Sequence, residues 1–448
     1  MPFWAHICIL PIIIQGNHII MEQSVRASSS IWKAVGPGIL MAGAAIGVSH
    51  LVQATRAGAD YGLTLLPLLI LACISKYPFM EFGPRYAAAT NEHLIAGYRR
   101  LGKGYYAIFT LITIGTMFIV QAAVTIVTAG LAEQFFNFGW TNFQWSCAIL
   151  GLCLGLLLLG RYPWLDITMK IIISLLTIST LFAVAMAFRS DRLSEVALVE
   201  APSFWNSAGI AFVISMMGWM PIPIDASVWH SIWVKERAKQ SHHLPTIRES
   251  KFDFNLGYIS AGFIGVLFFL MGYLVMFGSG ISFSQGSVGF SGQLVDLYGK
   301  TLGEWTRPLI AIAALITMIS TTLAVSDAYP RIMVELWKFD TRKEVINLED
   351  SHSHKWFQYQ YLAPIIACVS LFVLYYFTSN FTKLVDFATA LSFLAAPILA
   401  WFNLKLLTSD ATPFENRPKG NYLIFAWSCL IFLVLFSLVF IYWTVIAR

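Results

Sequence analysis

Long apolar runs follow one another along this 448-residue chain, and they leave little choice of architecture. A run of about 20 apolar residues is long enough to cross a bilayer as a helix. Eleven such runs can be read, at about 36–56, 63–88, 105–132, 144–160, 166–188, 207–232, 255–278, 305–329, 359–378, 383–406 and 422–446. The connections between them are short, and none is large enough to fold separately. Only 12% of the residues are charged, against roughly 25% in a soluble domain. The sequence therefore reads as an all-α polytopic membrane protein with about 11 transmembrane helices.

Two of the runs are interrupted. The first reads GPGILMAGAAIGVSHLVQATRAG over Gly36 to Gly58, and its centre, Gly43 to His50, carries two glycines, a serine and a histidine. The second reads FVISMMGWMPIPIDASVWHS over Phe212 to Ser231, with Gly218, Pro221 and Pro223 at its centre. Proline removes a backbone donor and clashes with the preceding turn, so two prolines two residues apart should stop a helix. Broken backbone at membrane depth is tolerated only where it is buried in protein or lines a cavity. Paired breaks in corresponding halves point to the binding site of a secondary transporter. The expectation is that Gly43–His50 and Gly218–Asp225 are unwound and face each other near the midplane.

Lysine and arginine accumulate on the cytoplasmic side of membrane proteins. With the N-terminus inside, about 21 of the 29 basic residues fall in or near inside connections and about seven outside, while Lys76 lies within the second run. The net charge of +5 thus reflects this bias and implies no nucleic-acid partner. A plasma-membrane protein with a cytoplasmic N-terminus is expected. The six cysteines include no CxxC pair, which excludes a disulfide framework or zinc site of the usual spacing. Residues 1–35 read as a cytoplasmic leader. Its first twenty lack a basic n-region and a cleavage site, and Met21 opens a conventional polar leader, so translation is expected to start there.

Each half begins with a broken run followed by four continuous ones. This layout matches the LeuT-like 5+5 inverted repeat with broken helices 1 and 6. The expected units are a first repeat over 36–188, a second over 207–406 and an appended eleventh helix over 422–446.

The first break makes the resemblance specific. GPGILMAGAAIGVSHLVQATRAGADYGLTLL is similar to the first helix of the NRAMP family of proton-coupled divalent-metal transporters. MMGWMPIP resembles that family's sixth helix, and GRYPWLDITMK (Gly160 to Lys170) its turn between the fourth and fifth helices. The resemblance runs from about residue 34 to 410 and implies a secondary transporter working by alternating access. The ligand positions depart from the pattern. Where the family has its metal-binding Asp-Pro-Gly-Asn, this chain has Gly47, Val48, Ser49 and His50. Met220 matches the family's methionine ligand, but Ile222 stands where the following histidine should be, and Met217 matches a position that offers its backbone carbonyl. Gln121 and Val124 fall where the third helix of the family carries its acidic proton relay.

A bare divalent cation needs several oxygen, nitrogen or sulfur donors to replace its water. Near the two breaks the chain offers Ser49, His50, Gln53, Met217, Met220 and Asp225. Histidine with thioether is a soft set, suited to copper(I) or a late divalent metal. Asp225 either restores the missing charge or caps the second half-helix. His230 with Ser231 resembles the family's Leu-His-Ser and is a candidate proton relay. Glu81 and Arg85 have the i, i+4 spacing of an ion pair. Lys76 lies deeper, and Asp327, in the polar eighth run, is its expected partner and a candidate for a coupling-cation site. Two cargoes fit this pattern: a divalent metal ion, with weakened proton coupling, or a small organic solute or anion at the half-helix N-termini. No nucleophile motif or nucleotide loop suggests an enzyme, and no cofactor is implied.

Overall fold

The computed structural model describes residues 34–159, 162–189, 196, 198–340, 348–377 and 380–443. The leader up to residue 33 with Met21, and Gly160 and Arg161 of the quoted turn, lie outside the described residues. Among the described residues the regular structure is helical throughout. Seven helical stretches among the described residues are long and apolar enough to cross a membrane, and Asn142–Leu158, Ser174–Phe188 and Ser207–Trp219 are shorter apolar helices.

The first run folds as α1 (Pro37–Ala45), a π-helical turn (Ser49–Ala54) and α2 (Thr55–Tyr61). Pro37 sits in the first turn of α1, where its fixed φ suits a helix start. The Asp253 carboxylate accepts from the Gly36 and Gly38 amides at 2.9 and 2.6 Å, a negative charge at the positive end of the helix. The chain continues through α3 (Leu66–Thr90), the short α4 (Leu94–Leu101), α5 (Lys103–Phe136), α6 (Asn142–Leu158) and α7 (Tyr162–Phe188). The second broken run gives α8 (Ser207–Trp219) and α9 (Ala226–Ser241). Then come α10 (Ile247–Met276), α11 (Ser287–Leu302), α12 (Arg307–Asp340), α13 (Leu348–Phe377), α14 (Phe381–Thr408) and α15 (Gly420–Ile441).

The pieces of the two broken runs pack against several neighbouring helices. α10 lies along α1, the π-turn and α2; α8 packs on α14, α9 on α3, and α12 on α5 and α1. At the α8–α14 crossing a Cβ on Gly218 would stand 1.9 Å from the Thr389 carbonyl oxygen, so this approach is open to glycine alone. The spaced Glu81 and Arg85 do form an ion pair at 2.9 Å on α3, and the Tyr422 hydroxyl adds a bond to Glu81 at 3.0 Å.

Candidate functional site

The second break lies where the prolines put it. α8 stops at Trp219, residues 220–225 run without helix, and α9 starts at Ala226. Gly218 itself stays helical, so the break is shorter at its start than Gly218–Asp225. The last carbonyls of any helix lack an intrahelical donor. Here the shortage is enforced, because Pro221 stands four residues after Met217 and has no N–H to give. Lys76 of α3 supplies the donors instead. Its Nζ donates to the carbonyls of Met217 at 2.6 Å, Gly218 at 2.7 Å and Ile222 at 3.4 Å, and its side chain is fully buried. The expected Lys76–Asp327 pair is not formed. Asp327 is bound by Arg331 at 2.7 Å and by the Tyr359 hydroxyl at 2.9 Å, one helical turn and one neighbouring helix away. The Met217 carbonyl, expected to face a metal ion, faces this ammonium group.

The first break is narrower than Gly43–His50. Only Ile46 and Gly47 leave the helical path; Gly43 stays in α1 and His50 lies in the π-turn. A single glycine weakens a helix by only ~1 kcal/mol, and Gly43 is buried within α1. A Cβ on Gly47 would meet Thr321 Oγ1 at 2.6 Å and Cγ2 at 2.8 Å. The Thr321 hydroxyl, on α12, lies 3.3 Å from the carbonyls of both Gly43 and Ile46. Thr321 therefore takes up the space that an aspartate at 47 would need, and its single hydroxyl hydrogen is shared among the carbonyls of Gly43, Ile46 and, at 3.2 Å, Thr317 of its own helix.

His50 is fastened at both ring nitrogens. Nε2 lies 2.8 Å from the Ala261 carbonyl, which can only accept, so Nε2 carries the hydrogen. Nδ1 lies 2.7 Å from the Ser49 hydroxyl. The Ser49 hydroxyl also lies 2.9 Å from the Ala45 carbonyl, so its one hydrogen serves either Nδ1 or that carbonyl. Met220 is close by: a Cβ on Gly265 of α10 would lie 2.7 Å from Met220 Sδ and 3.6 Å from the His50 ring, so both side chains converge on that glycine.

Between the breaks lies a cavity of about 30 Å³. Ala45, Val48 and Ser49 line it from the first break, Trp219, Ile222 and Pro223 from the second. Buried polar atoms without partners on the elements that line it include Trp229 Nε1, Asp225 Oδ1, Gln121 Oε1 and Ser326 Oγ. Trp229 lines the cavity and meets the Tyr329 ring at 5.3 Å, and the Tyr329 hydroxyl reaches Asp225 at 3.5 Å. Gln121 lies between the cavity-lining Val120 and Val124, and Ser326 follows the cavity-lining Val325. Asp225 occupies the N-cap position of α9 but makes no capping bond, so the capping alternative is not realised. Among the described residues no three His, Cys, Asp or Glu side chains converge as a metal cluster.

The remaining candidates lie away from this cavity. Gln53 Nε2 donates to Ser215 at 2.6 Å and Asp386 at 2.9 Å, while Arg56 bridges Asp386 at 2.8 Å. Arg56 and Asp386 line a larger cavity of about 720 Å³, shared with Asp60, Asn206, Phe212 and Lys383. Gln53 thus ties a vestibule wall to the interior of the bundle. His230 is fully buried with neither ring nitrogen hydrogen-bonded, its Nε2 3.9 Å from the Asp253 carboxylate that holds α1. Sequence reasoning missed Arg56, Asp386 and Asp253. The first two are ionisable residues inside apolar runs, a signal of function in itself. Asp253 stands just before its run and reads as a loop residue.

The chain matches the family model for natural resistance-associated macrophage protein-like proteins over residues 38–443. It is 34% identical to an uncharacterized protein of Pasteurella multocida over 430 residues, 94% of this chain and 95% of that one. A manganese transporter of Eremococcus coleocola, solved as a mutant, superposes with a TM-score of 0.67 at 17% identity, covering 93% of this chain and 88% of its own. MhsT, solved with L-phenylalanine, gives 0.64 at 14% identity over 90% and 97%. At these identities the superpositions establish the fold, which is LeuT-like. A family match across nearly all of the described residues settles the rest: this chain is a multi-pass membrane transporter of the Nramp family.

Proposed function

We propose that the protein carries a divalent metal ion across the plasma membrane by alternating access, with its N-terminus in the cytoplasm. The cavity between the breaks carries this reading. At about 30 Å³ it admits a bare ion or a water, since one water needs roughly 10–15 Å³ of such volume. An amino acid or similar solute does not fit. The unpartnered Asp225 oxygen supplies the charge that Gly47 lacks, and Met220 supplies a soft donor on the same break. The helices over 36–188 and 207–406 form the two repeats that rock against each other, and 422–446 is an appendage. The Arg56–Asp386 bridge with Gln53 closes one access path. Proton coupling is weak, because Gly47, Gln121 and Val124 stand where the family resemblance places acids.

The test is metal uptake into proteoliposomes across manganese, iron, zinc and copper, with Asp225→Asn and Met220→Ala as variants. Uptake should fall at least tenfold in Asp225→Asn and less in Met220→Ala. Uptake or binding of organic solutes with no response to any metal would transfer the protein to the alternative reading, a solute carrier on the same fold.

A further inference from the structure

We infer that the carbonyl pocket at the second break is a binding site for an ammonium-type cation, and that the chain fills it permanently with its own Lys76. The inference goes beyond the cargo assignment and is independent of it.

The pocket has the makings of a cation site. It lies at the C-terminal end of α8, where helix carbonyls carry partial negative charge. Unwound carbonyls and half-helix ends in such folds hold coupling cations. Proline at 221 denies the Met217 carbonyl its ordinary donor, and the Ile222 carbonyl belongs to the unwound stretch. An ammonium group has three N–H donors and no acceptor, and three carbonyl oxygens surround Nζ. A buried charge must be paired and hydrogen-bonded to be tolerated. The carbonyls meet that demand, and Asp225 in the same break adds opposite charge nearby. The site is thereby self-loaded: no free monovalent ion is needed there.

Chemical rescue tests this. In Lys76→Ala the pocket loses its tethered ion, so the melting temperature should drop by several degrees. It should recover saturably in ammonium or methylammonium chloride, and should not recover in tetramethylammonium chloride at equal ionic strength, since that ion has no N–H. Wild type should melt alike in all of these salts. Lys76→Met, which fills the volume without charge, should stay low and unrescued. A folded Lys76→Ala that ignores methylammonium, or a Lys76→Met as stable as wild type, overturns the inference. If Lys76→Ala yields no folded protein in any salt, Lys76→Arg and Lys76→Gln decide. Folding of the arginine variant alone supports the tethered charge, and any other result refutes it. None of these measurements involves metal transport, so failure of the cargo assignment would leave the outcome readable.

Discussion

The two breaks solve one problem in different ways. Each exposes carbonyls inside the bundle, where orphaned polar groups cannot reach water. At the first break the donor is a neutral hydroxyl, Thr321, and the gap is two residues long. At the second it is a full charge, Lys76, and the gap is six residues long. The neutral solution goes with Gly47 standing where the family resemblance places an aspartate. At the second break the charged groups are Lys76, bonded to its carbonyls, and Asp225 within the unwound stretch. The comparison teaches that helix breaks shared with a family of ion carriers can be kept while their electrostatics are redistributed.

Removing each donor in turn gives the largest contrast. Lys76→Met leaves up to three carbonyls without donors, at about 1 kcal/mol or more each, so unfolding should become easier by roughly 3 kcal/mol. Thr321→Val, at the first break, removes one shared and longer hydrogen bond and should cost about 1 kcal/mol. Denaturant unfolding in detergent measures both, and equal costs would mean that the two breaks depend alike on their donors.

Restoring the family's aspartate probes the first break directly. Gly47→Asp must push into Thr321, and overpacking of this kind costs about 1–3 kcal/mol. Gly47→Asp with Thr321→Ala should recover much of that loss and bind manganese more tightly than wild type. If the single variant is as stable as wild type, then Thr321 does not occupy the aspartate's space.

The vestibule bridge should respond more mildly. Asp386→Asn removes the partner of Arg56, whose side chain is 12% exposed, and loosens Gln53. A partly buried pair of this kind is worth about 1 kcal/mol or somewhat more. The expected sign is faster labelling of a cysteine placed at Ser215 in Asp386→Asn than in the Asp386 background. Unchanged labelling would mean that the bridge does not restrict access.

These contrasts also mark what the sequence discloses. Pro221 and Pro223 announce the second break because proline acts on its own neighbours, through a missing donor and a clash. Glu81 and Arg85 are readable for the same reason, their spacing alone placing them together. Lys76 is visible as an anomaly, yet its partners are backbone carbonyls, which every residue carries and no residue type signals. Reasoning from side chains therefore reaches for Asp327, an acid that local spacing already commits to Arg331. Gly47 likewise shows that an aspartate is missing, while the occupant of its space, Thr321, lies 274 positions away by subtraction of the two residue numbers. His50 reads as a free ligand until the Ala261 carbonyl and Ser49 are seen to hold it.

The smallest expected signal is the proton movement itself. Gly47, Gln121 and Val124 cannot titrate, and His50 is held by two partners. His230 is the remaining buried histidine near the breaks, and it faces Asp253 rather than the cavity. Histidine is the side chain best suited to change charge near neutral pH, so any residual proton path should run through these two. Proteoliposomes loaded with a pH-sensitive dye should show little acidification during metal uptake by wild type. His230→Ala should reduce what remains more than His50→Ala does, because His50 is tied into backbone and serine contacts while His230 has no hydrogen bond to lose. Strong acidification that survives both substitutions would place the coupling groups elsewhere. Asp225, the acid of the second break, would then be the first residue to replace.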